Sequence, residues 1–293
     1  MVRVSICCIT YNHEPFIRQC LDGFLMQQGD FEYEILIHDD ASTDGTTKII
    51  QEYELKYPEI IKPIIQTQNQ YSQGVRGINF IYNFPRAKGE YIAMCEGDDY
   101  WTDPLKLQKQ VDFLESNEEV VVCYHDRSVL QFNGEIVKTP FKRFNNLKMT
   151  TIIESNKMID TFMPLLTNMF RTEAIRNDVL LDTRGVFGGD VFLKAFLSTQ
   201  GKAAYLHFDG AVYRQHDGGV FSTLNVISKK EKAIETRLLI LQKINGIDKK
   251  AIYFSILKYC GVILKLSLKN GNIYTFLKYV YKTGMYAIKY FIS

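Results

Sequence analysis

The chain has 293 residues, 46% of them hydrophobic and 23% charged, which is an ordinary globular composition with enough apolar residues for a large core. Its formal net charge of +2 is too small to indicate a nucleic-acid partner, and we expect none. No uncharged apolar run reaches the ~20 residues that a helix needs to span a bilayer.

The opening part of the chain alternates between strand-like and helix-like hydrophobic patterns. Apolar runs predict strands at residues 2–9, 33–37, 60–66 and 91–95, and periodic segments predict helices at residues 13–28, 46–57 and 78–87. Strands separated by helix-length segments pair in parallel through right-handed crossovers. This part of the chain therefore predicts an α/β fold.

The middle of the chain mixes helices with short strands. The pattern predicts helices at residues 105–114 and 190–200 and strands at residues 120–124, 167–171, 204–207 and 211–213. Asn133 and Gly134 lie between two strand-like segments and predict a β-hairpin. Residues 142–155 look irregular, and we expect a loop there.

The last part of the chain is helical and basic, with predicted helices at residues 231–244, 249–269 and 273–291. From Lys229 onward 13 Lys and Arg residues face three Asp and Glu residues, a local charge of +10 against −8 for the rest. The final helix interleaves aromatic residues with lysines, which suits the interface of an anionic bilayer. The alternative is a helical cap that packs on the rest of the chain.

Six cysteines occur without a CxxC pair, and several lie in apolar, strand-like runs. This pattern favours buried thiols in a reducing compartment over a disulfide framework or a zinc site. The apolar stretch at residues 2–9 is too short for a secretory signal peptide. We therefore expect a cytoplasmic location.

Polar side chains follow three of the predicted strands at their carboxyl ends. They are Thr10, Tyr11 and Asn12 after the first strand, Asp39 and Asp40 after the second, and Asp98 and Asp99 after the fourth. Open sheets with parallel strands bind ligands at that edge. The sequence therefore predicts a ligand site where these clusters meet.

Asp98 and Asp99 close a buried strand and have no Lys or Arg beside them in the sequence. Two adjacent carboxylates repel each other, and burying them costs free energy unless a cation or hydrogen-bond donors compensate. Mg²⁺ or Mn²⁺ bridging to a diphosphate would do so. The alternative is an exposed acidic turn before the next helix.

Asp39 and Asp40 repeat this arrangement. A carboxylate there could accept hydrogen bonds from a nucleobase or a ribose, or it could cap the following helix.

Asp190 and His216 are further candidates outside the strand-end clusters. Asp190 follows Gly188 and Gly189 and starts a predicted helix, so it is either an N-cap or a general base for an acceptor hydroxyl. His216 precedes Gly218 and Gly219 in a segment that suggests a loop near a ligand, and imidazole is a common metal ligand.

Several common nucleotide and hydrolase motifs do not occur. The chain has no GxxxxGK[ST] loop, no GxGxxG after its first strand and no GxSxG elbow. Their absence argues against P-loop, dinucleotide and α/β-hydrolase sites.

Taken together, these residues resemble the inverting family 2 glycosyltransferases with the GT-A fold. The resemblance extends over roughly residues 2–222, and its motifs are weak singly but specific in their order and spacing. They are the opening strand with Thr10, Tyr11 and Asn12, the segment 38–45, the segment 88–92, the segment 96–101, Gly189 with Asp190, and the segment 213–216. The family often has Pro where this chain has Ile9, and Glu where it has Gly189.

The resemblance implies a mixed sheet flanked by helices and a set of residue roles. Thr10, Tyr11, Asn12, Asp39 and Asp40 would hold the donor nucleoside. Asp98 would contact the ribose or donor sugar, while Asp99 and His216 would bind Mn²⁺ or Mg²⁺. Asp190 would be the catalytic base, and Tyr100, Trp101 and Gly189 are possible borders of the sugar or acceptor site, although the two aromatic residues could simply be packed.

The resemblance also implies an activity, which is transfer of a sugar from a nucleotide diphosphate, with uridine as the expected carrier, to a hydroxyl of a glycan or lipid-linked acceptor. The setting would be polysaccharide, O-antigen or capsule synthesis. The expected domains are residues 1–227, with a donor half at 1–127 and an acceptor half at 128–227, and a helical extension at 228–293. The alternatives are a sugar-phosphate nucleotidyltransferase and a non-catalytic nucleotide-sugar-binding module.

Overall fold

The structure is a computed structural model that describes residues 1–138, 149–176, 183–218 and 225–293. The chain divides into two compact units. The sheet unit comprises Met1–Ile153, Phe162–Arg184 and Gly201–His216, and the helical unit comprises Glu154–Thr161, Gly185–Gln200 and Asp217–Ser293. The expected division into residues 1–227 and 228–293 stays a prediction.

Ten strands form one mixed sheet among the described residues. In chain order they are β1 (Val2–Thr10), β2 (Glu32–Asp39), β3 (Ile61–Ile65), β4 (Tyr91–Glu96), β5 (Tyr100–Trp101), β6 (Val120–Leu130), β7 (Ile136–Lys138), β8 (Thr151–Ile153), β9 (Met169–Arg171) and β10 (Lys202–Arg214). The order across the sheet is β3-β2-β1-β4-β9-β6-β10-β5, with β7 beside β6 and β8 beside β10.

The pairing confirms the predicted parallel half of the sheet. β1 runs parallel to both β2 and β4, and β2 runs parallel to β3. The other half is mixed, because β9 is antiparallel to β4 and β6 while β10 is parallel to β6. The fold is thus the expected α/β type with a mixed sheet.

Nine α-helices are described, with short π and 3-10 segments at Asn79–Asn83, Phe84–Arg86 and Leu165–Thr167. They are α1 (Ile17–Leu25), α2 (Thr46–Lys56), α3 (Lys106–Glu115), α4 (Ser155–Met158), α5 (Glu173–Arg176), α6 (Gly189–Leu197), α7 (Val226–Lys243), α8 (Lys249–Lys269) and α9 (Ile273–Ile292).

Several elements differ from their predicted forms, among them α1, β10 and β8. α1 begins four residues later than predicted, because the chain first turns at His13, whose backbone N–H donates to Thr46 Oγ1 at 2.8 Å. β10 joins two predicted short strands across irregular pairing with β6. β8 lies in the segment predicted to be irregular, of which residues 142–148 are outside the described residues.

The core of the sheet unit lies where helices cover the sheet. Ile17, Leu21 and Phe24 recur along one face of α1, and all three are fully buried with the apolar residues of β1 and β4. The six cysteines are free and buried, as the sequence predicted. This core fixes the strand ends that carry the polar residues.

Three long helices form most of the helical unit, and α8 packs against both α7 and α9. The predicted breaks near Gly246 and Gly271 are confirmed, and each glycine has a positive φ. Of the described helices, α8 is long and apolar enough to cross a membrane by length and composition, with a third of its most apolar window buried. The core helix of a protein outside the membrane can have the same length and composition.

Candidate active site

The ends of β1, β2 and β4 lie side by side at one edge of the sheet. Thr10 pairs in register with Asp39, and Ile9 pairs with Glu96. The turn after β4 comes close to β1, because a Cβ added to Gly97 would lie 2.6 Å from Thr10 Oγ1. The three polar clusters of the sequence are therefore neighbours, as predicted.

Asp98 lies in this turn and contacts two histidines. His216 Nε2 is 2.9 Å from Asp98 Oδ2, and His13 Nε2 is 3.8 Å from the same oxygen. Burial alone would raise the pKa of Asp98, but the hydrogen bond with His216 and the charge of His13 outweigh it and lower the pKa. The other oxygen, Oδ1, is buried and has no hydrogen-bond partner within the described parts of the chain.

Asp99 is more deeply buried than Asp98, with 2% of its surface exposed. Its Oδ1 accepts a hydrogen bond from the backbone N–H of Arg214 at 2.9 Å. Burial and the charge of Asp98 raise the pKa of Asp99 well above its usual value, and Arg214 and Arg127 only partly oppose this. Burying the two carboxylates side by side is therefore costly, and the two arginines offset that cost only in part.

Two groups of side chains at this turn have metal-ligating atoms within 4.8 Å of one another. The first comprises His13, Asp98 and His216, and the second comprises Glu96, Asp98 and Asp99. Asp98 belongs to both, and its Oδ1 has no hydrogen-bond partner among the described residues. Carboxylate and imidazole ligands together suit Mn²⁺ better than Mg²⁺, which prefers an octahedron of oxygens.

The side chains of Asp39 and Asp40 are engaged within the protein. Asp39 is fully buried and accepts from Ser42 and from the Thr47 hydroxyl. Asp40 accepts the backbone N–H groups of Gln70 and Tyr71 at 2.7 and 3.0 Å, which ties a loop to the end of β2. Contact of Asp39 or Asp40 with the nucleoside of the sugar donor stays a prediction.

Residues 10–12 form the corner after β1. Thr10 is buried, with Oγ1 3.1 Å from His13 Nδ1, whereas Tyr11 is 43% exposed. Asn12 has a φ of +55°, and its Oδ1 accepts from the backbone N–H of Thr43 at 2.7 Å. Tyr11 and Asn12 are therefore exposed to a ligand at this corner, whereas Thr10 is not.

The two aromatic residues after Asp99, Tyr100 and Trp101, have different neighbours. Trp101 is 2% exposed, donates from Nε1 to the carbonyl of Leu166 at 2.8 Å and packs on Phe24, so the packed alternative describes it. Tyr100 is also buried, and the Arg214 guanidinium lies 5.1 Å from its ring centre.

Asp190 is placed in the helical unit, in the first turn of α6, and it is exposed. The preceding Gly189 is surrounded by open space, since a Cβ added there meets no atom within 4 Å. No side chain caps α6 by a hydrogen bond. The N-cap alternative for Asp190 therefore has no support among these contacts.

Three site residues received no role from the sequence. His13 and Glu96 were not singled out, although His13 follows Thr10 by three residues and Glu96 precedes the acidic pair. Arg214 stood in a quoted segment, but only folding shows that its backbone N–H contacts Asp99 and that its Nε donates to the carbonyl of Asp98 at 2.8 Å. Gly219, the second glycine of the predicted loop after His216, lies outside the described residues.

Comparison with protein-family models matches residues 5–178 to glycosyl transferase family 2. An uncharacterized protein of Mycobacterium tuberculosis is 36% identical over 236 residues, which are 80% of this chain and 64% of the relative. A poly(ribitol-phosphate) beta-glucosyltransferase of Bacillus spizizenii is 37% identical over 146 residues, which are 49% of this chain and 22% of that protein. The matched part of the chain thus spans less than two thirds of the length of each of these relatives.

Solved structures share the fold at low sequence identity. S. aureus TarS residues 1–349 in complex with UDP-GlcNAc gives a TM-score of 0.66 at 20% identity, over 95% of this chain and 79% of that chain. The mannosyltransferase PcManGT of Pyrobaculum calidifontis, in complex with GDP-Man and Mn²⁺, gives 0.61 at 16% identity, over 97% and 84%.

Proposed function

The chain belongs to glycosyl transferase family 2, and on that premise we propose that it is an inverting, metal-dependent glycosyltransferase. Its donor is a nucleotide-diphosphate sugar, with uridine as the favoured carrier. Its acceptor is a hydroxyl of a glycan or a lipid-linked saccharide in cell-surface polysaccharide synthesis. Relatives with glycosyltransferase names and structural neighbours with bound UDP-GlcNAc or GDP-Man support this proposal.

The observation that carries the proposal is the acidic turn after β4. It has a buried carboxylate oxygen on Asp98 that no described residue hydrogen-bonds, a second buried carboxylate on Asp99, and His216 and His13 beside them. Burying like charges in this way is costly unless a ligand supplies positive charge. A cation together with a diphosphate would complete the cluster.

Asp99 and His216 are the proposed ligands of Mn²⁺, as the resemblance implies. The grouping of side chains adds Asp98, for which the resemblance implies a contact with the ribose or donor sugar, and His13 and Glu96 are further possible ligands. A bound cation would neutralise the negative charge that develops on the diphosphate leaving group. The chain's own contribution is to hold the carboxylates still. The backbone N–H of Arg214 fixes Asp99, and the Arg214 side chain fixes the backbone of Asp98.

The donor nucleoside is proposed to bind at the ends of β1 and β2. Tyr11 offers an exposed ring there, and Thr10, Asn12 and Asp39 shape the corner behind it. Asp40 contributes by clamping the loop at Gln70. These roles rest on family resemblance and on the register of β1 with β2.

Asp190 is the proposed general base. It would accept the proton of the acceptor hydroxyl as that oxygen attacks the anomeric carbon opposite the leaving group, so a single displacement inverts the configuration. The open space around Gly189 leaves room for an acceptor beside it. The transferred sugar is then bonded to the acceptor oxygen with the opposite anomeric configuration from that in the donor.

The donor and the metal are tested by thermal shift and calorimetry. Wild-type protein is screened with UDP-glucose, UDP-N-acetylglucosamine and GDP-mannose, each with MnCl₂ or with EDTA. We expect at least one donor to stabilise the protein only when Mn²⁺ is present, and release of its nucleoside diphosphate upon addition of a glycan or alkyl-glycoside acceptor.

Matched variants locate the site. Asp98→Asn and His216→Ala should remove the Mn²⁺-dependent shift, whereas His207→Ala, at an exposed histidine of β10 outside both metal-ligating groups, should leave it intact. A Mn²⁺-dependent shift that survives both site variants would refute the metal site. Release of pyrophosphate rather than of nucleoside diphosphate would indicate a nucleotidyltransferase, and donor binding without turnover would indicate a non-catalytic binding module.

The helical unit is proposed to associate with the cytoplasmic face of an anionic membrane as a peripheral extension at residues 228–293. One face of α9 carries apolar residues that are each at least 60% exposed, namely Ile273, Tyr274, Leu277, Tyr281, Ile288, Phe291 and Ile292. Lys278 and Lys289 are exposed on the same helix, and the segment from Lys229 has a charge of +10. Apolar area together with basic charge is what an anionic bilayer surface binds.

Vesicle flotation tests this association. The full chain should float with vesicles of phosphatidylcholine and phosphatidylglycerol and much less with phosphatidylcholine alone. Tyr281→Ser combined with Ile288→Ser should reduce flotation, whereas Leu55→Ser, at an exposed leucine of α2 in the sheet unit, should not. Equal flotation of all three proteins would refute a role of α9.

A further inference from the structure

Two exposed aromatic side chains of the sheet unit lie against the same arginine. Phe162 is 43% exposed and Tyr213 is 37% exposed. The guanidinium carbon of Arg127, on β6, is 4.3 Å from the ring centre of Tyr213 and 5.7 Å from that of Phe162. A guanidinium this close to an aromatic ring attracts it and restricts its orientation. We call Arg127, Phe162 and Tyr213 the aromatic cluster, because two exposed rings that share one cation form a defined surface, whereas scattered exposed apolar residues do not.

The aromatic cluster adjoins the acidic turn after β4. Tyr213 directly precedes Arg214, whose backbone N–H donates to Asp99 Oδ1 at 2.9 Å. Val212, the residue before Tyr213, pairs with Tyr100 where β10 runs antiparallel to β5. Tyr213 is therefore one residue away from the backbone contact that fixes a proposed metal ligand, and a molecule bound on its ring lies close to the proposed metal site.

The strand order places the aromatic cluster on the side of the acidic turn away from the nucleoside. Because β9 is antiparallel to both β4 and β6 while β10 is parallel to β6, the carboxyl ends of β6 and β10 lie at the same edge of the sheet as that of β4. Across the sheet, β1 and β2 lie on one side of β4, and β6 and β10 lie on the other. With the nucleoside at the ends of β1 and β2 and the diphosphate at the acidic turn, the group beyond the transferred sugar is the acceptor.

The chemistry of the aromatic cluster suits a saccharide ring. The face of an aromatic ring is negatively polarised, and the C–H groups on one face of a pyranose are weakly positive, so the two surfaces stack and leave the sugar hydroxyls at the rim. An alkyl chain also packs on aromatic rings, but the part of an acceptor that lies beside Asp99 is the part with the attacking hydroxyl. Rings that Arg127 already holds in place lose little conformational freedom when the saccharide binds.

We propose that Tyr213 and Phe162, held by Arg127, form an acceptor subsite that stacks on the saccharide ring bearing the attacking hydroxyl. This inference rests on the proposed function, in which that hydroxyl attacks the donor sugar. It identifies the acceptor chemistry that the sheet unit recognises, which is the apolar face of a pyranose, and the residues that recognise it.

The test compares Tyr213→Ala with Tyr213→Phe in the full chain. The probes are the methyl and hexyl glycosides of glucose, galactose and N-acetylglucosamine, with Mn²⁺ and the donor that wild type binds, and release of nucleoside diphosphate is measured. We expect Tyr213→Ala to raise the KM for the acceptor about tenfold with methyl and hexyl glycosides alike, and Tyr213→Phe, which keeps the ring, to stay within about threefold of wild type. For both variants kcat should stay within about threefold, and donor affinity by calorimetry within about twofold, because stacking on the acceptor is a uniform binding contribution.

Matched variants separate the subsite from general effects of losing an aromatic ring. Phe162→Ala should raise the acceptor KM in the same direction as Tyr213→Ala. Tyr57→Ala removes a half-buried tyrosine that has a similar contact, since Lys56 Nζ lies 5.1 Å from its ring centre. Tyr57 lies at the start of β3, at the opposite edge of the sheet, so this variant should leave the acceptor KM unchanged. Circular dichroism and the melting temperature identify a variant that has not folded, and Phe162→Ala decides if Tyr213→Ala is that variant.

Four results would overturn the inference. An unchanged acceptor KM in folded Tyr213→Ala and Phe162→Ala would show that the rings do not bind the acceptor. Equal losses in Tyr213→Ala and Tyr213→Phe would assign the effect to the hydroxyl, and a loss confined to hexyl glycosides would assign it to the alkyl chain. A parallel loss of donor affinity would place the rings at the donor sugar instead.

The failure of the proposed function has a different signature. Wild-type protein that binds a donor but transfers sugar to none of these glycosides would overturn the proposed function, and the subsite with it. Wild-type protein that transfers sugar, together with alanine variants that keep the wild-type acceptor KM, would refute only the subsite.

Discussion

The two units of this chain handle buried charge in opposite ways. In the sheet unit, Asp98 and Asp99 repel each other at a strand end, and an oxygen of Asp98 has no partner among the described residues. In the helical unit, Arg237 is satisfied by hydrogen bonds and lies near Asp160 and Asp190. The first cluster needs positive charge from a ligand, and the second supplies its own. An incompletely compensated cluster is the better indicator of a ligand site.

The largest expected effect is the loss of turnover on substituting Asp190. It tests whether the helical unit holds a group that takes part in the reaction. Asp190→Asn should lower kcat by roughly 10²–10⁴-fold, because the amide cannot accept the acceptor proton. Calorimetry should show unchanged donor affinity, since the proposed donor residues lie in the sheet unit. Turnover of Asp190→Asn within about tenfold of wild type would remove Asp190 from the mechanism.

The next largest effect concerns Lys106, a buried cation of the sheet unit that forms no ion pair with a carboxylate among the described residues. Lys106 is fully buried, with Nζ 2.6 Å from Gln110 Oε1 and 3.9 Å from the ring centre of Trp101. Burial lowers its pKa from 10.5 to about 7. Between those pH values the unfolded chain binds the extra proton, so the free energy of unfolding should rise with pH above about 7 and be flat below it.

Lys106→Met should remove this pH dependence. The difference between wild type and variant should change by about 2 kcal/mol between pH 7 and pH 9, as measured by urea denaturation. Lys109→Met, at a half-exposed lysine on the same helix that pairs with Asp103, is the control and should show no such change. Parallel pH profiles for wild type and Lys106→Met would contradict the assignment.

Substitution of Asp99 is expected to stabilise the protein slightly without metal and to abolish its stabilisation by Mn²⁺. Asp99→Asn removes the repulsion from Asp98 while its amide oxygen can still accept from Arg214, so the free energy of unfolding without metal should increase by about 1 kcal/mol. The same variant should lose the Mn²⁺-dependent thermal shift. A variant that is destabilised without metal, or that responds to Mn²⁺ like wild type, would show that Asp99 is not part of a cation site.

The smallest effect is expected for exposed ion pairs, which should not distinguish the two units. Arg18 pairs with Glu52 in the sheet unit, and Lys278 pairs with Glu231 in the helical unit, with all four side chains at least 32% exposed. Arg18→Ala and Lys278→Ala should each change the free energy of unfolding by less than about 0.5 kcal/mol, because solvent screens such pairs. A loss of 2 kcal/mol in either variant would mean that these pairs are not simply surface contacts.

Much of the fold could be predicted because its signals are local. The parallel strands β1–β4 follow from apolar runs separated by helices, and the ends of the C-terminal helices follow from Gly246 and Gly271. The continuity of β10 and the strand β8 could not be predicted, because their pairing partners are distant in sequence. The same limit applies to the start of α1, which depends on a contact with Thr46.

The sequence by itself determined which residue types are present at the strand ends, since Thr10, Asp39 and Asp98 each follow a readable apolar run. Only the tertiary structure decided which of them touch. It brought His216 and His13 to Asp98, used Asp40 to hold a loop, and buried Trp101 in the core. The reason is physical: strand propensity acts over a few neighbouring residues, whereas these contacts join residues that are 30 to 118 positions apart in the chain.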